Sequence, residues 1–109
     1  MITTTLSWIA SQIDGTLEGD DSTVTAVSTD TRALTEGAVY LALKGANFNG
    51  HDFAEAAANA GASAIIASEK VSVSTPVIYV EDTKLALGQL GAAVKQQVAP
   101  KTIAITGSS

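Results

Sequence analysis

The 109-residue chain reads as an α/β protein, a small mixed sheet with two or three helices. Three observations point there. Apolar runs at residues 38–43, 64–67 and 77–80 have the length of buried strands. Elsewhere, apolar side chains recur at helical spacing. Strand, helix and strand then alternate, which implies a right-handed crossover and at least one parallel pair.

In chain order, Leu6, Ile9, Ala10 and Ile13 form one face of a short helix. Thr5 or Ser7 is placed to cap it, and Gly15 to end it. Trp8 lies off that stripe and is expected to pack on the next hairpin. Residues 15–19 and 24–28 flank Asp20-Asp21-Ser22 and read as two short strands joined by a turn. Glu18, Asp20 and Asp21 lack the spacing of a calcium loop, so they read as a solvated turn. Thr35-Glu36-Gly37 is a second turn. Residues 38–43 form the central strand, apolar on both faces. Phe53, Ala56, Ala57 and Ala60 then mark a thin, alanine-rich helix, with Gly61 as its left-handed terminator. Ser72, Ser74, Thr75 and Pro76 form a surface loop between two further strands. Asp82 caps a longer helix with the face Leu87, Leu90, Gly91, Val94 and Val98, ended by Pro100. Residues 101–106 read as a last strand, leading into Gly107-Ser108-Ser109. A buried-looking strand and a small-residue turn normally feed a helix, so the chain reads as stopping in mid-domain. A boundary is expected at residues 81–82.

Composition narrows the chemistry. Hydrophobic residues make up 46% and charged ones 16%, enough apolar material to build a core. The length suits one domain, or one domain with a piece of another. A formal charge of −5 argues against nucleic acid or an anionic membrane as partner, while leaving room for a small anion held by placed cations. With no cysteine and one histidine, thiolate chemistry and histidine-rich metal sites are excluded. No basic leader and no run near 20 apolar residues is present, so a soluble, cytoplasmic protein without membrane insertion is expected.

Two polar clusters bracket the central strand. In Asp30-Thr31-Arg32, the arginine fork suits phosphate and the threonine hydroxyl both donates and accepts; a local Asp–Arg pair fixing a turn is equally consistent. In Lys44-Gly45-Ala46-Asn47-Phe48-Asn49-Gly50-His51, glycines permit close backbone approach. There, asparagine can match the edge of a uracil-like base, Phe48 can stack on a flat ring, and Lys44 can meet a phosphate. The plainer alternative is a strand-to-helix loop with Asn49 capping the helix. His51 at a helix start has no paired nucleophile and reads as structural. Glu81 and Asp82 are adjacent in sequence and do not share a site, so no catalytic residue and no metal ligand is assigned.

Taken together, Ser28-Thr29-Asp30-Thr31-Arg32, Gly37, Leu43-Lys44-Gly45, Asn49-Gly50-His51-Asp52-Phe53 and Ala60-Gly61-Ala62 closely resemble the N-terminal domain of the Mur ligases. The likeness covers essentially the whole chain. It is nearest the family member that adds D-alanyl-D-alanine to UDP-N-acetylmuramoyl-tripeptide in peptidoglycan precursor synthesis. The alternatives are the sister ligase that adds the third amino acid, or a stand-alone small-ligand-binding domain. Residues 103–109 resemble the opening of the family's ATP loop. Asn49 departs from the aspartate the family often carries there.

The resemblance implies that residues 1–81 hold the uridine diphosphate end of the substrate and that residues 82–109 begin a truncated central ATP-binding domain. Thr29 and Thr31 would contact the uridine region, with Ala46, Asn47 and Phe48 on the opposite loop. Arg32 and Lys44 are added from charge as diphosphate candidates, and Gly107, Ser108 and Ser109 as a partial ATP site. ATP and magnesium would serve the full-length enzyme, with no cofactor expected in this fragment. On its own the fragment is expected to be a monomer that binds without catalysing.

Overall fold

The computed structural model describes residues 4–24, 26–31, 34, 37–44, 49–96 and 104–106. Its elements run β1 (Thr4–Thr5), α1 (Leu6–Gln12), β2 (Thr16–Glu18), β3 (Thr23–Val24), β4 (Ala26–Ser28) and β5 (Ala38–Leu41). One 3-10 turn (Gly50–Phe53) then leads into α2 (Ala54–Asn59), β6 (Ala64–Ala67), β7 (Val77–Tyr79), α3 (Thr83–Gln96) and β8 (Ala104–Thr106).

A six-stranded sheet has the order β2-β7-β6-β5-β4-β8. Strands β4 to β8 are parallel, and β2 runs antiparallel to β7 at one edge. All four residues of β5 and of β6 are buried, as expected for parallel strands covered on both faces. Alternate side chains face opposite ways. Val39, Leu41 and Ile66 meet Leu6 and Ile9 of α1 and Ala86 and Leu90 of α3. Tyr40, Ala42, Ile65 and Ala67 share the other face with Ala54 and Ala57 of α2. The mixed α/β architecture read from sequence is therefore present, with helices on both sides of one sheet.

The caps explain where the helices begin. Thr5, rather than Ser7, caps α1: its Oγ1 accepts the Trp8 N–H at 3.2 Å. Asp21 reinforces the same end, accepting the Ser7 N–H at 3.0 Å and its hydroxyl at 2.8 Å. Those two bonds hold the Asp21 carboxyl below its ordinary pKa. Asp82 Oδ1 takes the Lys84 N–H at 2.9 Å at the start of α3. After α2, Gly61 adopts φ +104°, the left-handed geometry expected of it. At the end of α1 that role falls to Asp14, at φ 55°, with Gly15 following.

Four further expectations are corrected. Residues 15–19 and 24–28 do not form a hairpin. Strand β2 pairs with β7 at the far edge, β3 pairs with β1 in a separate two-stranded ribbon, and β4 enters the sheet's other half. Trp8 accordingly packs on the α1 and α3 side of the core. The buried face of α2 is Ala54 and Ala57, leaving Phe53 43% exposed. The preceding 3-10 turn, at about three residues per turn, shifts the helix face from the one extrapolated through Phe53. The central strand ends at Leu41, although the Ala42 N–H still bonds Ile66 O at 2.9 Å. Val94 and Val98 as face residues, Pro100 as terminator and the turn at Thr35 and Glu36 lie outside the described residues or side chains.

Candidate functional site

Because β4, β5 and β6 are adjacent and parallel, the residues that follow them gather along one edge of the sheet. Open α/β sheets bind ligands beyond that carboxyl edge. Neighbouring strands lie about 5 Å apart, so side chains leaving three consecutive strands are within reach of one another.

After β4 the chain turns on Ser28. Its buried hydroxyl accepts the Asp30 N–H at 3.1 Å and donates to Asp30 O at 3.0 Å. This small turn leaves Thr29 and Thr31 half-buried at the sheet edge. Arg32 lies outside the described residues.

After β5, Lys44 and Asn49 pair in an isolated antiparallel bridge. Just inside it, the Gly50 N–H bonds Leu43 O at 2.6 Å, and the Tyr40 hydroxyl donates to Gly50 O at 3.0 Å. A Cβ at Gly50 would sit 2.7 Å from Leu43 O and 2.9 Å from Leu43 N, so only glycine fits without a shift. Burial, with a smaller push from the Asp30 carboxylate, drives the Tyr40 phenol up to about 12. Tyr40 thus bonds one polar turn and feels the charge of the other. Paired with Ser28 in the strand register, Tyr40 links the two clusters.

After β6 come Ser68 and Glu69. The Glu69 carboxylate accepts from Lys44 Nζ at 2.6 Å and from Asn49 Nδ2 at 3.5 Å. The Lys44 bond holds the Glu69 carboxyl down and the Lys44 ammonium up relative to their ordinary pKa values. Asn49 Oδ1 accepts the His51 N–H at 3.0 Å and lies 2.7 Å from His51 Nδ1. On the ring's other side, Nε2 accepts the Ser68 N–H at 2.9 Å. These partners assign the ring proton to Nδ1. Burial pushes the His51 pKa down, against the opposing Glu69 charge, so the neutral ring is the form the fold holds. With both nitrogens engaged, His51 is a brace between β6 and the turn before α2.

Of the site residues expected from sequence, Thr29, Thr31 and Lys44 are described, and they lie on this edge. Lys44, assigned to diphosphate from charge alone, is already ion-paired with Glu69. Arg32, Ala46, Asn47, Phe48, Gly107, Ser108 and Ser109 lie outside the described residues. Tyr40, Ser68 and Glu69 escaped the sequence reading. For the last two the signal was their position directly after an apolar parallel strand. Among the described residues, no group of three or more acids or histidines is placed to hold a metal. No helix among them is long and apolar enough to cross a membrane.

Residues 23–104 match the family described as Mur ligase family, catalytic domain. The chain belongs to the Mur ligase family. A UDP-N-acetylmuramoyl-tripeptide--D-alanyl-D-alanine ligase from Escherichia coli (strain K12) is 47% identical over 109 residues, all of this chain and 24% of the relative. This Mur ligase chain thus spans about a quarter of the length of the curated relatives it matches, such as that one at 24%. Among solved structures, MurF from Acinetobacter baumannii superposes with a TM-score of 0.81 at 28% identity, over 91% of this chain and 22% of that one. MurF ligase from Thermotoga maritima, in complex with ADP, gives a TM-score of 0.50 at 38% identity, over 62% of this chain and 17% of that one.

Proposed function

We propose that this chain is the substrate-anchoring part of an ATP-dependent, cytoplasmic ligase that joins D-alanyl-D-alanine to UDP-N-acetylmuramoyl-tripeptide in peptidoglycan synthesis. Its own task is to hold the uridine diphosphate end. One observation carries the reading: the turn at residues 28–31 and the Lys44–Asn49 bridge leave adjacent parallel strands at the same sheet edge, with Tyr40 paired to Ser28 across the strands and bonded to Gly50 O. The 47% identity with a D-alanyl-D-alanine ligase over all 109 residues supports the substrate class.

In this reading Thr29 and Thr31 meet the uridine, opposite Ala46, Asn47 and Phe48, while Lys44 and Arg32 face the diphosphate. The sheet edge supplies a rigid footing for contacts remote from the reacting carboxylate. Such contacts supply binding energy that positions the reacting group elsewhere. Residues 82–109 begin the ATP-binding part, with Gly107, Ser108 and Ser109 toward the phosphates. The boundary at residues 81–82 belongs to this proposal, while α3 packs Ala86 and Leu90 into the shared core and β8 extends the shared sheet. ATP with magnesium would activate the tripeptide carboxylate in the longer enzyme; in this chain the part acts as a monomeric binding module.

The test is a titration of isotopically labelled chain with UDP, followed by NMR. Chemical-shift changes at Thr29, Thr31, Lys44 and Asn49 are expected, and Thr31→Ala should weaken binding while the spectrum stays dispersed. No response to millimolar UDP, a concentration on the order of the weakest specific affinities, rejects the reading.

A further inference from the structure

We propose that Glu69 is a positioning residue for the diphosphate end of this site, fixing the Lys44 ammonium and the Asn49 amide against the rigid end of β6. The inference rests on the function proposed above and adds a residue that it does not use.

Both side chains of the ion pair are substantially exposed, 57% for Lys44 and 38% for Glu69, so the pair contributes little to stability. Its geometry nevertheless controls placement. One carboxylate oxygen takes Lys44 and the other takes Asn49, the two partners of the bridge. Asn49 is in turn locked through His51 to Ser68, the residue beside Glu69. The hydrogen bonds therefore close a ring that starts and ends on the residues after β6.

A lysine ammonium carries three donors. Glu69 engages one, leaving two for phosphate oxygens and settling where they point. Without Glu69, the four-carbon Lys44 stem samples many rotamers that a ligand would have to order. The Glu69 charge also repels an anion. At a solvent-exposed edge, however, that repulsion is screened, while the ordering cost is not. Removing the carboxylate should therefore weaken binding.

The test measures UDP and uridine affinities for the 109-residue chain and for Glu69→Gln, Lys44→Met and the double variant. Glu69→Gln should weaken UDP binding by about two- to fivefold, the most that the ordering supplied by an exposed pair can contribute, and leave uridine binding and the melting temperature unchanged. In the Lys44→Met background, Glu69→Gln should have no further effect, because the carboxylate reaches the anion through that lysine while His51 still holds the Asn49 side chain. Equal or tighter UDP binding by Glu69→Gln overturns the proposal, as does an equal loss for uridine or in the Lys44→Met background. If the unaltered chain binds no UDP, the function proposed above fails and takes this role with it. Binding by the unaltered chain with no change in Glu69→Gln removes the role of Glu69 alone.

Discussion

Replacing Gly50 by alanine adds one methyl group where the backbone leaves no room. The new Cβ would meet Leu43 O at 2.7 Å, Leu43 N at 2.9 Å and the Tyr40 hydroxyl at 3.0 Å. Two of these are main-chain atoms beside β5, which cannot rotate away. Overpacking of this kind costs about 1–3 kcal/mol. The displaced turn also weakens the Tyr40 bond to Gly50 O, worth about 1 kcal/mol. Alanine recovers about 0.4–1 kcal/mol by restricting the unfolded chain. The net loss is about 1–3 kcal/mol, a fall of roughly 5–15 °C in melting temperature for a domain of this size. Gly88→Ala is the matched comparison. It makes the same chemical change on an exposed position of α3 with nothing within 4 Å. It should stabilise by about 1 kcal/mol through helix propensity. Thermal unfolding of both variants by circular dichroism reads the difference. If Gly50→Ala melts no lower than the parent, the close approach of the turn to Leu43 is wrong.

Two other outcomes bear on the same edge. The folded His51 pKa is depressed below its unfolded value, so the stability it contributes is complete above the ordinary histidine pKa of about 6.5 and is lost as pH falls toward the folded value. Denaturant midpoints should decline across that window, and His51→Gln should flatten the decline; an unaltered slope in the variant refutes the assignment. Tyr40→Phe keeps the ring packing but strands Gly50 O. It should cost about 1–2 kcal/mol and abolish a phenol titration near 12 in ultraviolet absorbance. A variant as stable as the parent would show that the hydroxyl bond is idle.

What the sequence disclosed follows a physical divide. Local signals were readable. Thr5 and Asp82 carry side chains that cap only at helix starts, and the runs containing Val39, Ile65 and Ile78 are apolar enough to be buried strands. The parallel pairing also followed from strand and helix alternation. The placement of β2 did not, because Thr16, Leu17 and Glu18 hold no preference between a neighbouring strand and their actual partners Tyr79, Ile78 and Val77, far along the chain. In α2, a run of alanines offers no contrast between inside and outside, so its face could not be fixed. Thr29, Thr31 and Lys44 were reached through their residue types and the family likeness. Glu69 was missed because its significance lies in a contact across 25 residues of sequence.

The two sides of the sheet differ in what mutation can do to them. On the α2 side, Ala42, Ala54, Ala57, Ala62 and Ala67 pack around Tyr40, Ile65 and Val77, so at the alanine positions there is little to remove and little space to grow. Beneath α1 and α3, the leucines, isoleucines and valines can exchange volume among themselves. Over many generations those five alanine positions should stay frozen while the second side drifts, and an engineer seeking freedom to redesign this protein should start from the second.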